Sequence, residues 1–184
     1  KRGMRLSAPR ANIALLRDAE GISAEGSVVF CQSETAIRAD LSGIYRVESG
    51  ATELGLVFSD VSPANLSGFA PELAPLTMFD SQLEGTLTLS LDAELEPSGM
   101  SIDVRAGAGT VTFENWFDDP VAFDSGAFRI RSERGLGNVV IENAMLKVGP
   151  ATLLMNGDAR KVLDQWNLGL VAELRGLPVN AIEN

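Results

Sequence analysis

Apolar and polar residues alternate one by one through most of this chain. Leu87, Leu89 and Leu91 are separated by Thr88 and Ser90, and Met100, Ile102, Val104 and Ala106 by Ser101, Asp103 and Arg105. Phe128 and Ile130 alternate with Arg129 and Arg131. Near the end, Trp166, Leu168, Leu170, Ala172 and Leu174 alternate with Asn167, Gly169, Val171, Glu173 and Arg175. A period of two places every second side chain on one face of a β-strand. Each run therefore buries one face and wets the other, the habit of antiparallel sheets. Val111 and Phe113 begin a further short run of the same kind.

Turn-forming residues punctuate these runs at 24–26, 49–50, 96–99, 107–109, 118–120, 135–138, 149–150 and 157–161. Together they predict roughly eleven or twelve strands, joined mainly as a meander of hairpins. No strand alternates with a helix, as parallel sheets require. The expected fold is mostly β: a long, curved antiparallel sheet, open as a groove or barrel-like, with one short helix. That helix is predicted after Ser62, a good N-cap residue, with Pro63 at its first position. Leu66, Phe69 and Leu73 follow at spacings of three and four, which makes an apolar stripe. Pro71 keeps the helix short or broken and Pro75 ends it. Such a stripe needs an apolar surface to cover, and a cap on one end of the sheet supplies one.

Composition removes whole classes of function. Hydrophobic residues are 45% of the chain and charged residues 22%, which places it among packed rather than disordered sequences. Fifteen basic residues stand against twenty-five acidic ones, for a net charge of −10. The scattered Lys and Arg form no patch for nucleic acid or for anionic lipid headgroups. Histidine is absent. This removes Ser-His and Cys-His nucleophiles and nearly all zinc sites. Cys31 is the single cysteine, so an intrachain disulfide and a thiolate cluster are excluded. It lies in the apolar run Val28-Val29-Phe30-Cys31, where an inert buried thiol is expected.

Two stretches resemble sites but read better as structure. Gly107-Ala108-Gly109 has a Gly-x-Gly form, yet a strand follows it where a phosphate loop needs a helix. A hairpin turn is expected there. The acidic stretch from Glu114 to Asp124 lacks calcium-loop spacing and its closing glutamate, so it reads as an acidic turn. Carboxylates such as Glu84, Asp103 and Glu142 fall at outward strand positions, where solvation explains them. No catalytic residue, cofactor or metal site is nominated.

No apolar run is long enough to span a membrane as a helix. The chain opens at Lys1 and ends at Asn184, and it is expected to be one β-rich segment, 1–184, of a larger protein.

One further pattern comes from the order of features after about Val57. Phe58-Ser59-Asp60-Val61-Ser62-Pro63 is followed by the short helix, Pro71-Glu72-Leu73-Ala74-Pro75-Leu76 and Leu83-Glu84-Gly85-Thr86-Leu87. Gly107-Ala108-Gly109 and Leu146-Lys147-Val148-Gly149-Pro150-Ala151 come later. Residues 57–184 thereby resemble the central domain of YhdP-type envelope proteins, in the AsmA-like group that includes TamB. The resemblance implies a parent anchored in the inner membrane and extending through the periplasm. It also implies an apolar β-groove that conducts or shields phospholipid acyl chains for outer-membrane homeostasis. Its partners would be phospholipid or another acyl-chain lipid and neighbouring segments of the parent chain.

The residues expected to line such a groove are Leu87, Leu89, Leu91, Ile102, Val104, Val111, Phe113, Phe128, Ile130, Leu168 and Leu170. Leu66, Phe69 and Leu73 are the expected cap. The alternation also fits a closed β-sandwich acting as a spacer or protein-interaction module. Pattern alone leaves both open.

Overall fold

In a computed structural model the described residues are 7–32, 35–66, 76–112, 119–133, 135, 137–162 and 165–176. The first four strands are β1 (Ser7–Arg17), β2 (Gly21–Gln32), β3 (Thr35–Arg46) and β4 (Thr52–Val61). A single turn of helix, α1 (Pro63–Leu66), and the short β5 (Phe79–Asp80) follow. Next come β6 (Leu83–Leu91), β7 (Pro97–Ala106), β8 (Gly109–Val111) and β9 (Val121–Phe123). The chain closes with β10 (Ser125–Glu133), β11 (Asn138–Val148), β12 (Ala151–Val162) and β13 (Gln165–Arg175).

Ten of these strands form one open sheet in the order β1-β2-β3-β4-β6-β7-β10-β11-β12-β13. Every pairing in it is antiparallel. Spatial order follows chain order, the meander that the alternating runs predict. At about 4.8 Å per strand the sheet runs roughly 43 Å from edge to edge. It does not close: β1 and β13 are its two edges.

Two excursions leave this sheet at the same end. One runs from the end of β4 through α1 and β5 back to the start of β6. The other runs from the end of β7 through β8 and β9 back to β10. They meet as a three-stranded sheet, β5-β8-β9. Val61, Pro63, Val111 and Phe123 are buried here, as Val28, Ile37, Ala39 and Ala144 are on the long strands. A β-carbon at Gly109 would meet Ser81 and the Phe123 ring, which shows how closely the three short strands are pressed together.

Three expected turns are corrected. Positions 24–26 lie inside β2 and positions 157–161 inside β12. At 107–109 the chain makes no hairpin but crosses from the large sheet into the small one. The physical reason at Gly157 is close backbone approach: a β-carbon there would overlap the Gly169 carbonyl oxygen of β13. Glycine here serves the inside of a strand rather than its end. The turn between β6 and β7 also sits earlier than expected, over 92–96. There Asp92 Oδ1 accepts hydrogen bonds from the Glu94 and Glu96 amides.

Ser132 is the buried polar residue of the long strands, and its Oγ lies 2.6 Å from both the Gly135 and Asn138 carbonyl oxygens. Its one proton bridges these two acceptors and ties down the connection from β10 to β11. Ser132→Ala leaves both carbonyls short of a donor and is expected to cost about 1–3 kcal/mol. A lower urea midpoint with unchanged slope is the expected readout.

Candidate functional site

The strand register decides which residues share a face. In an antiparallel sheet, directly opposed residues project to the same side. Leu87 stands opposite Leu56 on β4 and Ile102 on β7, and Leu89 opposite Leu54 and Met100. Ile102 and Val104 stand opposite Ile130 and Phe128 on β10. Phe128 and Ile130 then face Ala144 and Ile141, which face Met155 and Gly157 on β12. Met155 and Gly157 pair with Ala172 and Leu170 on β13, and Ala159 with Leu168. In the other direction Leu56 and Leu54 pair with Leu41 and Gly43 on β3. These pair with Gly26 and Ala24 on β2, which face Ile13 and Leu15 on β1.

One apolar face therefore crosses all ten strands without a break. Among the paired positions of the described residues, its charged side chains are Arg17 and Lys161. Both lie at the end of the sheet away from β5-β8-β9.

The opposite face carries most of the charge, with Leu16, Ile44, Val57, Val140 and Val171 exposed among its polar residues. Thr86, Asp103, Arg129 and Asn143 run across four strands in one row. Arg129 Nε donates to Asp103 Oδ2 at 2.9 Å, and Arg131 pairs with Glu142 at 3.5 Å. The Asp103 hydrogen bond holds the Arg129 guanidinium above its ordinary pKa. These groups are solvent-exposed, so their worth is in keeping this face wet rather than in stability.

Nine expected groove residues gather on the apolar face: Leu87, Leu89, Leu91, Ile102, Val104, Phe128, Ile130, Leu168 and Leu170. Val111 does not. It is 1% exposed inside the small sheet, opposite Phe79 and Val121, and so belongs to the end core. The physical reason is that its strand leaves the long sheet after Ala106. Phe113, Phe69 and Leu73 lie outside the described residues, and Leu66 is placed only as the last residue of α1.

Sequence reasoning passed over much of the same face. Ile13, Leu15, Ile22, Leu54, Leu56 and Phe58 belong to it on the first four strands, and Leu146, Leu153 and Met155 on later ones. The alternation of Leu54, Leu56 and Phe58 was a usable signal. Glycine, alanine and bulges dilute it elsewhere.

The face is only partly covered. Leu87, Leu89, Leu91, Met100, Ile102, Val104 and Ile130 are half-buried by their neighbours within the sheet, and Phe128 is exposed. Exposure rises toward the edges, to 72% at Leu15 and 61% at Leu168. Leucines inside a closed sandwich would be excluded from water almost completely.

Two glycines on this face admit close approach by a neighbouring strand. A β-carbon at Gly85 would overlap the Asp103 carbonyl oxygen of β7, as one at Gly157 would overlap β13. Both glycines sit on the apolar side, so the neighbouring backbone stands where a side chain would be. Glycine kinks of this kind curve a sheet.

Two clefts open at opposite ends of the sheet. One of about 540 Å³ lies beside the small sheet, lined by Leu83, Ala106, Gly126 and Met145 with Asp60 and Arg105. The other, about 880 Å³, lies between the turns after β1 and β3, lined by Ile22, Ile44, Tyr45 and Val47. Among the described residues, no group of three or more Cys, Asp or Glu is placed to hold a metal ion. No helix of the described residues is long and apolar enough to cross a membrane.

The class this geometry defines is an open, antiparallel meander sheet with one continuous apolar face and a capped end. No family model, curated protein or solved structure matches this chain.

Proposed function

We propose that this chain is a non-enzymatic segment of a cell-envelope protein whose apolar sheet face holds and conducts the acyl chains of phospholipid. The single observation that carries the reading is the unbroken apolar face across ten strands, with its two charges confined to one end. A trough of this kind needs an apolar occupant, because an exposed apolar patch beyond a few hundred Å² otherwise drives association. Burying one sixteen-carbon acyl chain is favourable by roughly 12 kcal/mol, at about 0.8 kcal/mol per methylene. A headgroup stays in water along the rim while the chain lies on the leucines. Gly85 and Gly157, pressed by neighbouring backbone on the apolar side, support a trough rather than a flat wall. The resemblance of residues 57–184 to the AsmA-like group supports the same reading. On that resemblance the segment would lie in the periplasm, tethered through a parent anchored in the inner membrane.

Purification in detergent-free buffer, solvent extraction and mass spectrometry of the extract test this. Diacyl lipid in stoichiometric amount is the expected result. A lipid-free chain that also fails to take up a photoreactive fatty acyl probe would leave the spacer reading in its place.

A further inference from the structure

Among the described residues, each edge of the large sheet presents a row of backbone N–H and C=O groups with no partner strand. Proteins blunt such edges with lysine, proline, charge turned inward, or a covering helix. The outer strand β13 carries neither lysine nor proline along Gln165–Arg175. The other outer strand, β1, has Pro9 and a register shift at its start, but from Arg10 to Arg17 its pairing is regular. Both edges expose large apolar residues: Ile13, Leu15 and Leu16 on one, Leu168, Leu170 and Leu174 on the other.

We propose that these edges join head to tail between copies of this chain, β13 of one copy pairing antiparallel with β1 of the next. Three observations select this partner. The sheet has ten strands, an even number, and every pairing is antiparallel. A second copy placed beside β13 in the same orientation therefore offers a β1 that runs antiparallel to it, with its apolar face on the same side. The two edge strands are also equal in length, at 11 residues each. Finally, charge picks one register. With Glu173 opposite Arg10, Ala172 meets Ala11, Leu170 meets Ile13 and Leu168 meets Leu15 on the apolar face. On the polar face Val171 meets Asn12 and Gly169 meets Ala14. Sliding by two residues one way sets Arg175 against Arg10. Sliding the other way leaves Glu173 without a cation opposite it.

Glu173 already accepts hydrogen bonds from Arg175 of its own strand, at 2.7 Å and 2.8 Å. Arg10 of the next copy would add a second cation to that carboxylate. The join is heterologous, so it repeats from copy to copy, as a ring if the rotation closes and as a filament if it does not. It continues the apolar face from copy to copy, and it stands on the edges alone, whether or not lipid lies on that face.

The test uses the 184-residue chain with one edge blocked at a time. Leu15→Lys places an inward charge on the β1 edge, and Leu168→Lys does so on the β13 edge. By sedimentation, wild type is expected to form a concentration-dependent ladder of species. Each variant alone is expected to be monomeric, and an equimolar mixture to form one-to-one dimers and nothing larger. Dimers of Leu15→Lys alone would show β13 pairing with itself. Dimers of Leu168→Lys alone would show the same for β1. A wild-type chain that stays monomeric would mean free or internally closed edges. Any of the three overturns the proposal.

The register has its own test at exposed positions that leave the fold intact. Glu173→Arg should weaken association at least tenfold, and Arg10→Glu added to the same chain should restore it. An unchanged ladder in Glu173→Arg would rule out this pairing.

Discussion

With aspartate at both Leu89 and Val104, the purified chain should carry at least tenfold less acyl lipid than wild type while still melting cooperatively. Leu89 sits opposite Leu54 and Met100, and Val104 opposite Gly85 and Phe128, near the middle of the apolar face. A carboxylate under an acyl chain loses water without gaining a partner, at a cost of a few kcal/mol. Each 1.4 kcal/mol is tenfold in occupancy. Because both residues are only half-buried without lipid, the variant folds with its carboxylates still wetted. The matched control is Thr88→Asp with Ser101→Asp, a directly opposed pair on the other face of the same two strands. That control should bind as wild type. Equal lipid in the two double variants would show that this face is not where lipid lies.

The second large effect is on stability. Gly157→Val should lower stability by about 3 kcal/mol, at the upper end of the range for overpacking, because the obstacle is the fixed Gly169 backbone and not a movable side chain. For a chain of this size each kcal/mol is worth about 2–4 °C, so a melting point lower by roughly 6–12 °C is expected. Gly137→Val, where nothing lies within 4 Å of the added β-carbon, is the control and should melt near wild type. If the close approach at Gly157 also shapes the trough, lipid content should fall with stability in the first variant and in neither respect in the second. Equal melting points for the two would show that β12 and β13 do not need their close approach.

The polar face explains how so large an apolar surface can belong to a chain that carries a net charge of −10. Its rows of threonine, serine, aspartate and arginine wet the middle of that side, and its ion pairs are exposed. Such pairs add little stability. Their work is to break up the apolar positions of the second side, where Ile44, Val57 and Val140 are exposed.

The sequence by itself determined the class of element and the two sides of each strand. Alternation from Leu87 to Leu91, from Met100 to Ala106 and, with Val171 as an exception, from Trp166 to Leu174 puts the apolar members on one side, since a strand repeats every two residues. Lack of histidine and a lone cysteine were equally plain from composition.

Tertiary structure decided how the separate stripes line up. Whether Leu87 meets Ile102 or Thr88 does is set by cross-strand register, and a slip of one residue would send a stripe to the other face. Register shifts between Phe58 and Val61, and between Ile141 and Ala144, keep the stripes of β4 and β11 on the common side despite an extra residue. Local pattern carries no trace of such a correction, because a bulge is defined by the partner strand. The same reason covers the misplaced turns and Val111. Gly26 and Gly157 look like turn residues until the neighbouring backbone is seen pressing on them. Val111 looks like another trough residue until its strand is seen to leave for the small sheet, whose partners lie about thirty residues before it and ten after it.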